Sequence, residues 1–314
     1  MNVKIKSIEY SLPKKREKLK DLIKYNPNWN YDRILKASGI NNRFISSESE
    51  NIISLSVKSS KKILKKFPKD KIDFLIFVTQ TSHLKLPSIA CVLQNKLKLR
   101  NNILAFDINM GCSGFVYALN IAQKIILSKE CKNGLIICSD TYSKYIKKNN
   151  SSCRPIFSDA SSSILVGNTN EKSILNFVYG TDGSGAYDLY LEENSNNIYM
   201  NGSKVALFSL NRVPKSIKEL LVKTNIKINK IDKFVFHQAS KFVLDHIYKS
   251  LKIKKNQIYE NYNKFGNTVS SSIPIALKEA SKFNLIKNND NIILSGFGVG
   301  LSWASVLIKW KKIN

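Results

Sequence analysis

Apolar positions along this chain follow two rhythms. "MNVKIKSIEY" at the start alternates apolar and polar residues, the period of a half-buried strand. "FLIFV" (Phe74 to Val78) and "GLIIC" (Gly134 to Cys138) are continuous apolar runs of strand length, as in strands buried on both faces. Between such runs, "SLSVKSSKKILKKF" and "IPIALKEASKF" carry apolar residues at helical spacing. Another helix follows the segment "AFDINMGCSG", because Phe115, Val116, Ala118, Leu119 and Ala122 recur on one face. Strands alternating with amphipathic helices predict an α/β protein with mostly buried sheets.

The pattern also repeats. "IDFLIFVTQTS" (Ile72 to Ser82) resembles "IDKFVFHQAS" (Ile231 to Ser240), each an Ile-Asp, a strand and a polar turn entering a helix. "NILAFDINMGCSG" is echoed by "NQIYENYNKFGNT", and "NGLIICSDTYS" by "DNIILSGFGVG", in the same order. Duplicated halves pack about a pseudo-two-fold axis, so corresponding turns should converge. Those turns carry Cys112, His237, Asn267 and the glycines of "GFGVG". A boundary near Gly167 would divide the chain into halves 1–167 and 168–314. No Pro/Gly/Ser-rich linker separates them, so they are expected to form one unit.

Composition narrows the class. At 314 residues and 43% hydrophobic content, the chain can bury a large core. No apolar run is long enough to span a bilayer and the N-terminus has no signal-peptide core, so a cytoplasmic location is expected. Five cysteines without a Cys-x-x-Cys pair argue against a disulfide framework. The three histidines, His83, His237 and His246, show no zinc-ligand spacing, and no metal site is expected. The formal charge of +27 invites a nucleic-acid reading, but the lysines are spread along the chain and no RNA-binding aromatic signature accompanies them. Specific nucleic-acid binding is therefore not expected. An anionic protein partner or a phosphate-bearing ligand suits the charge better.

Cys112 carries the candidate chemistry. It stands in a glycine-bearing turn just before a helix, where unpaired N–H groups favour a thiolate and can hold an oxyanion. A small buried cysteine packing as a hydrophobe is the competing explanation. For His237 the alternative is a hydrogen-bonded core histidine, and for Asn267 a turn residue after Gly266.

The segments "YSLP", "ASGINNRFIS", "CSGFVYAL", "FSDASSSILV", "HQAS", "GNTVSSSIP" and "GFGVGLSW", in this order, resemble the thiolase superfamily and specifically β-ketoacyl-acyl-carrier-protein synthase III. The resemblance implies a five-layered α-β-α-β-α fold with two mixed sheets, a homodimer, and a Cys112–His237–Asn267 active site. It implies that Cys112 takes an acyl group from a coenzyme A or acyl-carrier-protein thioester and then condenses it with a decarboxylating malonyl thioester. The backbone N–H groups of Cys112 and Val299 would form the oxyanion hole. Arg33, Leu86, Arg154 and Gly298 would contact substrate, Leu86 from a gating position across the dimer. No metal, nicotinamide or flavin is called for.

Several positions depart from the family pattern. "FSDAS" replaces Phe-Gly-Asp-Gly-Ala, Ser240 replaces an asparagine, and Arg33 and Ala37 occupy the places of a tryptophan and an arginine that grip adenine. Asp159 reads as structural, holding a turn near the site. Other readings remain open at this point: acyl transfer to an alcohol or amine without decarboxylation, a papain-like Cys-His-Asn hydrolase, and a basic binding protein.

Overall fold

Alternate residues of the buried strands face two different helical layers, and this sets the architecture. The computed structural model describes residues 2–192, 195 and 197–313. The first half contains β1 (Asn2–Ser11), β2 (Lys15–Lys18), α1 (Leu19–Tyr25), α2 (Tyr31–Ser38), β3 (Asn42–Ile45) and α3 (Ile52–Leu64). It continues with β4 (Phe74–Val78), α4 (Ile89–Leu97), β5 (Leu104–Ile108), α5 (Gly114–Leu127), β6 (Asn133–Asp140) and β7 (Ala160–Thr169). The second half contains β8 (Ile174–Thr181), β9 (Leu189–Tyr190), β10 (Tyr199–Met200), α6 (Gly202–Thr224) and β11 (Lys233–Phe236). After these come α7 (Lys241–Leu251), α8 (Tyr262–Phe265), α9 (Ser272–Lys282), β12 (Asn291–Gly298) and β13 (Ser302–Lys309).

Both large sheets are mixed. The first runs β1-β7-β6-β4-β5 and the second β11-β12-β13-β8. In β4, Phe74, Ile76 and Val78 face inward onto α5, while Leu75 and Phe77 face outward onto the α3/α4 layer. In β11, Val235 faces the central layer, and Phe234 and Phe236 face α6 and α7. Helices α5 and α9 therefore lie between two sheets, with α3/α4 and α6/α7 outside. This is the expected α-β-α-β-α sandwich. Continuous apolar runs arise because each strand is covered on both faces.

The repeated Ile-Asp pair has a structural cause. Asp73 accepts the N–H groups of Lys132 and Asn133 at 2.7 and 2.9 Å, latching β4 to the start of β6. Asp232 accepts the Asn291 N–H at 2.8 Å and does the same for β11 and β12. The repeat is not perfect. The strand expected in "NQIYENYNKFGNT" reduces to a single bridge between Ile258 and Phe234. There the chain turns away into α8, because the Gln238 side chain takes the Asn261 N–H at 2.8 Å. The turn between the halves occupies residues 170–173. The boundary expected at Gly167 falls inside β7, whose pairing with β1 continues to Thr169.

Tight packing between β4 and β6 gives a stability test. Gly134 lies opposite Phe74, and a Cβ at that glycine would stand 2.0 Å from the Phe74 ring. Gly134→Ala is expected to destabilise the fold by about 1–3 kcal/mol. Urea denaturation should show this as a lower midpoint at unchanged slope, partly recovered by adding Phe74→Leu.

Candidate active site

Cys112 is positioned by a turn with little freedom. It precedes Ser113, the N-cap of α5, and Ser113 Oγ lies 2.8 Å from Ser302 Oγ at the start of β13. Strand β12 passes directly against the turn: a Cβ on Gly296 would meet the Cys112 carbonyl at 2.6 Å, and one on Gly298 would meet Sγ at 3.0 Å. Gly298 also has φ of +153°, a conformation other residues rarely adopt. The strand end of the second half can approach the thiol this closely only because it lacks side chains there. The backbone N–H groups of Val299 and of Cys112 itself lie near enough to the sulfur to favour its thiolate form.

His237 follows β11, where its N–H donates to the Ser295 carbonyl at 2.8 Å. Its ring is 1% exposed, stands edge-on to Phe297 with centroids 5.6 Å apart, and places Nδ1 2.7 Å from Ser272 Oγ. Asn267 is held by a bridge to Phe157: its N–H donates to Ile156 O at 3.0 Å and its carbonyl accepts from Ser158 N at 2.9 Å. The Val269 N–H donates to Asn267 Oδ1 at 3.0 Å, which leaves the NH₂ end of the amide as the free donor. Gly266, at φ +71°, is required here because a Cβ would stand 2.8 Å from Ser158 Cβ.

These residues meet on one cavity of about 260 Å³, lined by Cys112, His237, Asn267 and Gly298 together with Phe157, Leu189 and Val205. Its lining is mostly apolar, and burial of the reactive groups sets the electrostatics. Burial pushes the Cys112 thiol up to about 12, with the buried Asp140 carboxylate adding to the push, while the Val299 and Cys112 N–H groups pull the other way. Burial pushes His237 down to about 3. At neutral pH the resting pair is a thiol and a neutral imidazole, not a thiolate–imidazolium pair. The thiolate that the helix-end reading favoured is outweighed by desolvation.

The substrate-contact expectations divide. Gly298 lines the cavity. Arg33 is exposed on α2, next to Ile34, which lines the cavity along with Ala37. Leu86 is 85% exposed and outside the cavity. Arg154 is not brought to the site: its guanidinium is buried and bonded to Glu17 at 3.1 Å, which also pairs with Arg43. Ser151 on the same loop lines the cavity instead.

Asp159 is structural as expected, accepting N–H groups from Ser46 and Ser143 at 2.8 and 2.9 Å. Two residues went unassigned in the sequence. Asp140 ends β6 and takes hydrogen bonds from Gln80 N and from the Ser270 hydroxyl; burial raises it to about 6. Ser272 lies in the quoted run "GNTVSSSIP", where one serine among three gave no sign of facing the histidine. Among the described residues no cluster of three His, Cys, Asp or Glu could hold a metal ion, all five cysteines are free, and no helix is long and apolar enough to cross a membrane.

A sandwich of two mixed sheets and three helical layers with Cys, His and Asn on one mostly apolar cavity defines the thiolase-like class of acyl-transferring enzymes. Models of 3-oxoacyl-(acyl-carrier-protein) synthase III match residues 106–183, and residues 221–310 as its C-terminal part. Beta-ketoacyl-(acyl-carrier-protein) synthase III of Clostridium perfringens is 36% identical, with 98% of this chain and 99% of that protein covered. The Clostridium tetani protein of the same name is 35% identical, with 93% and 92% covered. The crystal structure of the Aquifex aeolicus synthase III superposes with a TM-score of 0.93 at 31% identity, covering 98% of this chain and all of that one. The chain belongs to the 3-oxoacyl-(acyl-carrier-protein) synthase III family, whose members are condensing acyltransferases. The hydrolase and binding-protein readings fall away.

A neutral resting thiol has a measurable signature. The rate of Cys112 alkylation by iodoacetamide, with Cys112→Ala as background, should rise about tenfold per pH unit from roughly pH 7 to 9 without a plateau. The sign follows from the raised value: each unit of pH below it leaves tenfold less thiolate. A plateau beginning below pH 7 would show a thiolate held at rest.

Proposed function

We propose that this chain condenses an acyl group with a malonyl thioester, releasing carbon dioxide and forming a β-ketoacyl thioester. The observation that carries the reading is the convergence of Cys112, His237 and Asn267 on one apolar cavity with two N–H groups beside the sulfur. Cys112 Sγ bonds to the acyl carbonyl carbon, the donor's C–S bond breaks, and the thiol proton leaves with the departing thiol. The N–H groups of Cys112 and Val299 hold the oxyanion during this step. The malonyl thioester then loses its carboxylate as carbon dioxide. The enolate oxygen so formed receives hydrogen bonds from His237 and Asn267, and the enolate carbon attacks acyl-Cys112, whose sulfur leaves and is reprotonated. A neutral imidazole suits a donor that must not pass its proton to the enolate carbon. This chemistry requires no cofactor besides the thioester substrates.

The extender is malonyl-acyl-carrier protein on this reading. The donor is an acyl thioester of coenzyme A or of carrier protein, and Arg33 at the cavity mouth guides its anionic carrier by charge. The setting is cytoplasmic. The assembly is a homodimer: β5 is an edge strand with Leu104 half exposed, and the protruding Leu86 would reach the neighbouring copy. Pairing through β5 would continue the first sheet across the two-fold and bury more than ~2,000 Å².

Intact-protein mass spectrometry tests the two half-reactions. Incubation with a panel of acyl-CoAs and acyl-carrier proteins should add one acyl group to the wild type and none to Cys112→Ala. His237→Ala and Asn267→Ala should still acylate, accumulate acyl-Cys112 when malonyl substrate is present, and lose condensation by about 100-fold or more. Variants that decarboxylate malonyl thioester at the normal rate would overturn these roles. Sedimentation should give a dimer at micromolar concentration; an active, stable monomer would remove the assembly proposal.

A further inference from the structure

A second cavity, of about 330 Å³, adjoins the cysteine turn. The first cavity reaches the surface beside α2 and α7, where Ile34 and Phe242 line it and Phe242 is exposed. Leu189 lines both cavities, and Gly298 of the first is followed in the chain by Val299 of the second. A thioester carbonyl held at the Cys112 and Val299 N–H groups therefore has room on two sides, for the carrier arm in the first cavity and the acyl chain in the second. The second lining mixes apolar side chains, Leu189 and Val299 among them, with Gln80, Asn109 and Tyr142. Gln80 stands beside the thiol turn: a Cβ on Gly111, the residue before Cys112, would press on both Gln80 Oε1 and the Val299 side chain. The Tyr142 ring packs against Phe157 with centroids 4.9 Å apart, and its hydroxyl donates to Gln80 Oε1 at 3.1 Å. That bond uses the one proton of the phenol and leaves the NH₂ end of the Gln80 amide as the open donor. Among the described residues, neither Gln80 Nε2 nor the Asn109 side-chain amide has a hydrogen-bond partner.

We infer that the cavity beyond Cys112 takes an acyl chain bearing a hydroxyl or keto oxygen in preference to a plain alkyl chain, and that Gln80 is the residue that recognises the oxygen. This rests on the acyl-carrier role proposed above for Cys112. A plain alkyl chain entering the cavity would cover the Gln80 amide with methylene groups that accept no hydrogen bond, and that desolvation penalises binding. A chain oxygen accepts from Nε2 while the carbons beside it keep their contacts with Leu189 and Val299. The Tyr142 hydroxyl makes the choice directional. By occupying Oε1 it leaves the donor end of the amide open, so the selected group is an acceptor and not one that only donates, such as an ammonium. A tyrosine that needed no more than packing against Phe157 could dispense with its hydroxyl, and a glutamine that served only that hydroxyl would not need to line the cavity.

Matched donors read the preference. Acylation of Cys112 is followed by intact-protein mass spectrometry with butyryl, 3-hydroxybutyryl, 4-hydroxybutyryl and acetoacetyl groups, each supplied on coenzyme A and on acyl-carrier protein. The wild type should take at least one oxygen-bearing group with a kcat/KM about tenfold or more above that of butyryl on the same carrier. Gln80→Leu should bring that ratio to about one by slowing the oxygen-bearing donor. Tyr142→Phe, which frees the amide to turn, should lower the ratio without removing it. Butyryl taken as fast as, or faster than, all three oxygen-bearing groups by the wild type would overturn the inference, and that comparison needs no variant to fold. So would a preference that survives Gln80→Leu. The acyl-carrier reading fails separately, if no member of the panel, plain or oxygen-bearing, labels Cys112.

Discussion

Two sheets share one layer of helices, and most of the site follows from that constraint. With α5 and α9 packed against each other's neighbours between the sheets, the strand ends that feed them must arrive at the same level. The end of β5 delivers Cys112, the end of β11 delivers His237, and the segment before α9 delivers Asn267. The last step of approach is steric. β12 touches the cysteine turn through Gly296 and Gly298, and a side chain at either would separate the halves. Burial of a common core thus places three reactive side chains that no local sequence brings together.

The same burial decides their protonation states. Moving a charged group into an apolar cavity is costly unless partners compensate, and the thiol and imidazole have too few. They are therefore neutral at rest; burial raises the two buried carboxyls as well, and there surrounding hydrogen-bond donors oppose the shift. Asp159 accepts three hydrogen bonds, from the Ser46 N–H and from the N–H and hydroxyl of Ser143. Asp140 is ringed by Gln80, Thr79, Thr81 and Ser270. A site that works through hydrogen-bond donation to a transient anion gains from this: its donors carry no charge to attract water or a competing anion before the substrate arrives.

The departures in "FSDAS" have local explanations. Ser158, where the family pattern has glycine, accepts the Phe44 N–H at 2.8 Å and ties the Asn267 bridge to β3. Ser161, in the place of alanine, joins a buried set of hydroxyls with Ser56 and Ser59 of α3. Ser240, in the place of asparagine, caps α7 by accepting the Val243 N–H at 3.4 Å. The hydroxyls of Ser158, Ser161 and Ser240 each have a partner, so the backbone frame around the cavity is retained.

The residues themselves determined a good deal. Apolar runs in "FLIFV" and "NIILSGFG" marked strands covered on both faces, helical spacing after Cys112 marked α5, and the doubled Ile-Asp marked the duplication, because period and latch are local properties. Cys112, His237 and Asn267 were legible because each stands in a turn at the end of such an element. The exact end of β7, the loss of a full strand at Ile258 and the burial of Arg154 against Glu17 were not legible. They depend on competition between distant partners: Asn2 for Thr169, Gln238 for the Asn261 N–H, and Glu17 for a guanidinium 137 positions away. The pairing of Ser272 with His237 was hidden for the same reason. Which of three adjacent serines faces a ring is fixed by the rotation of α9 in the core, and only the packed tertiary structure sets that rotation.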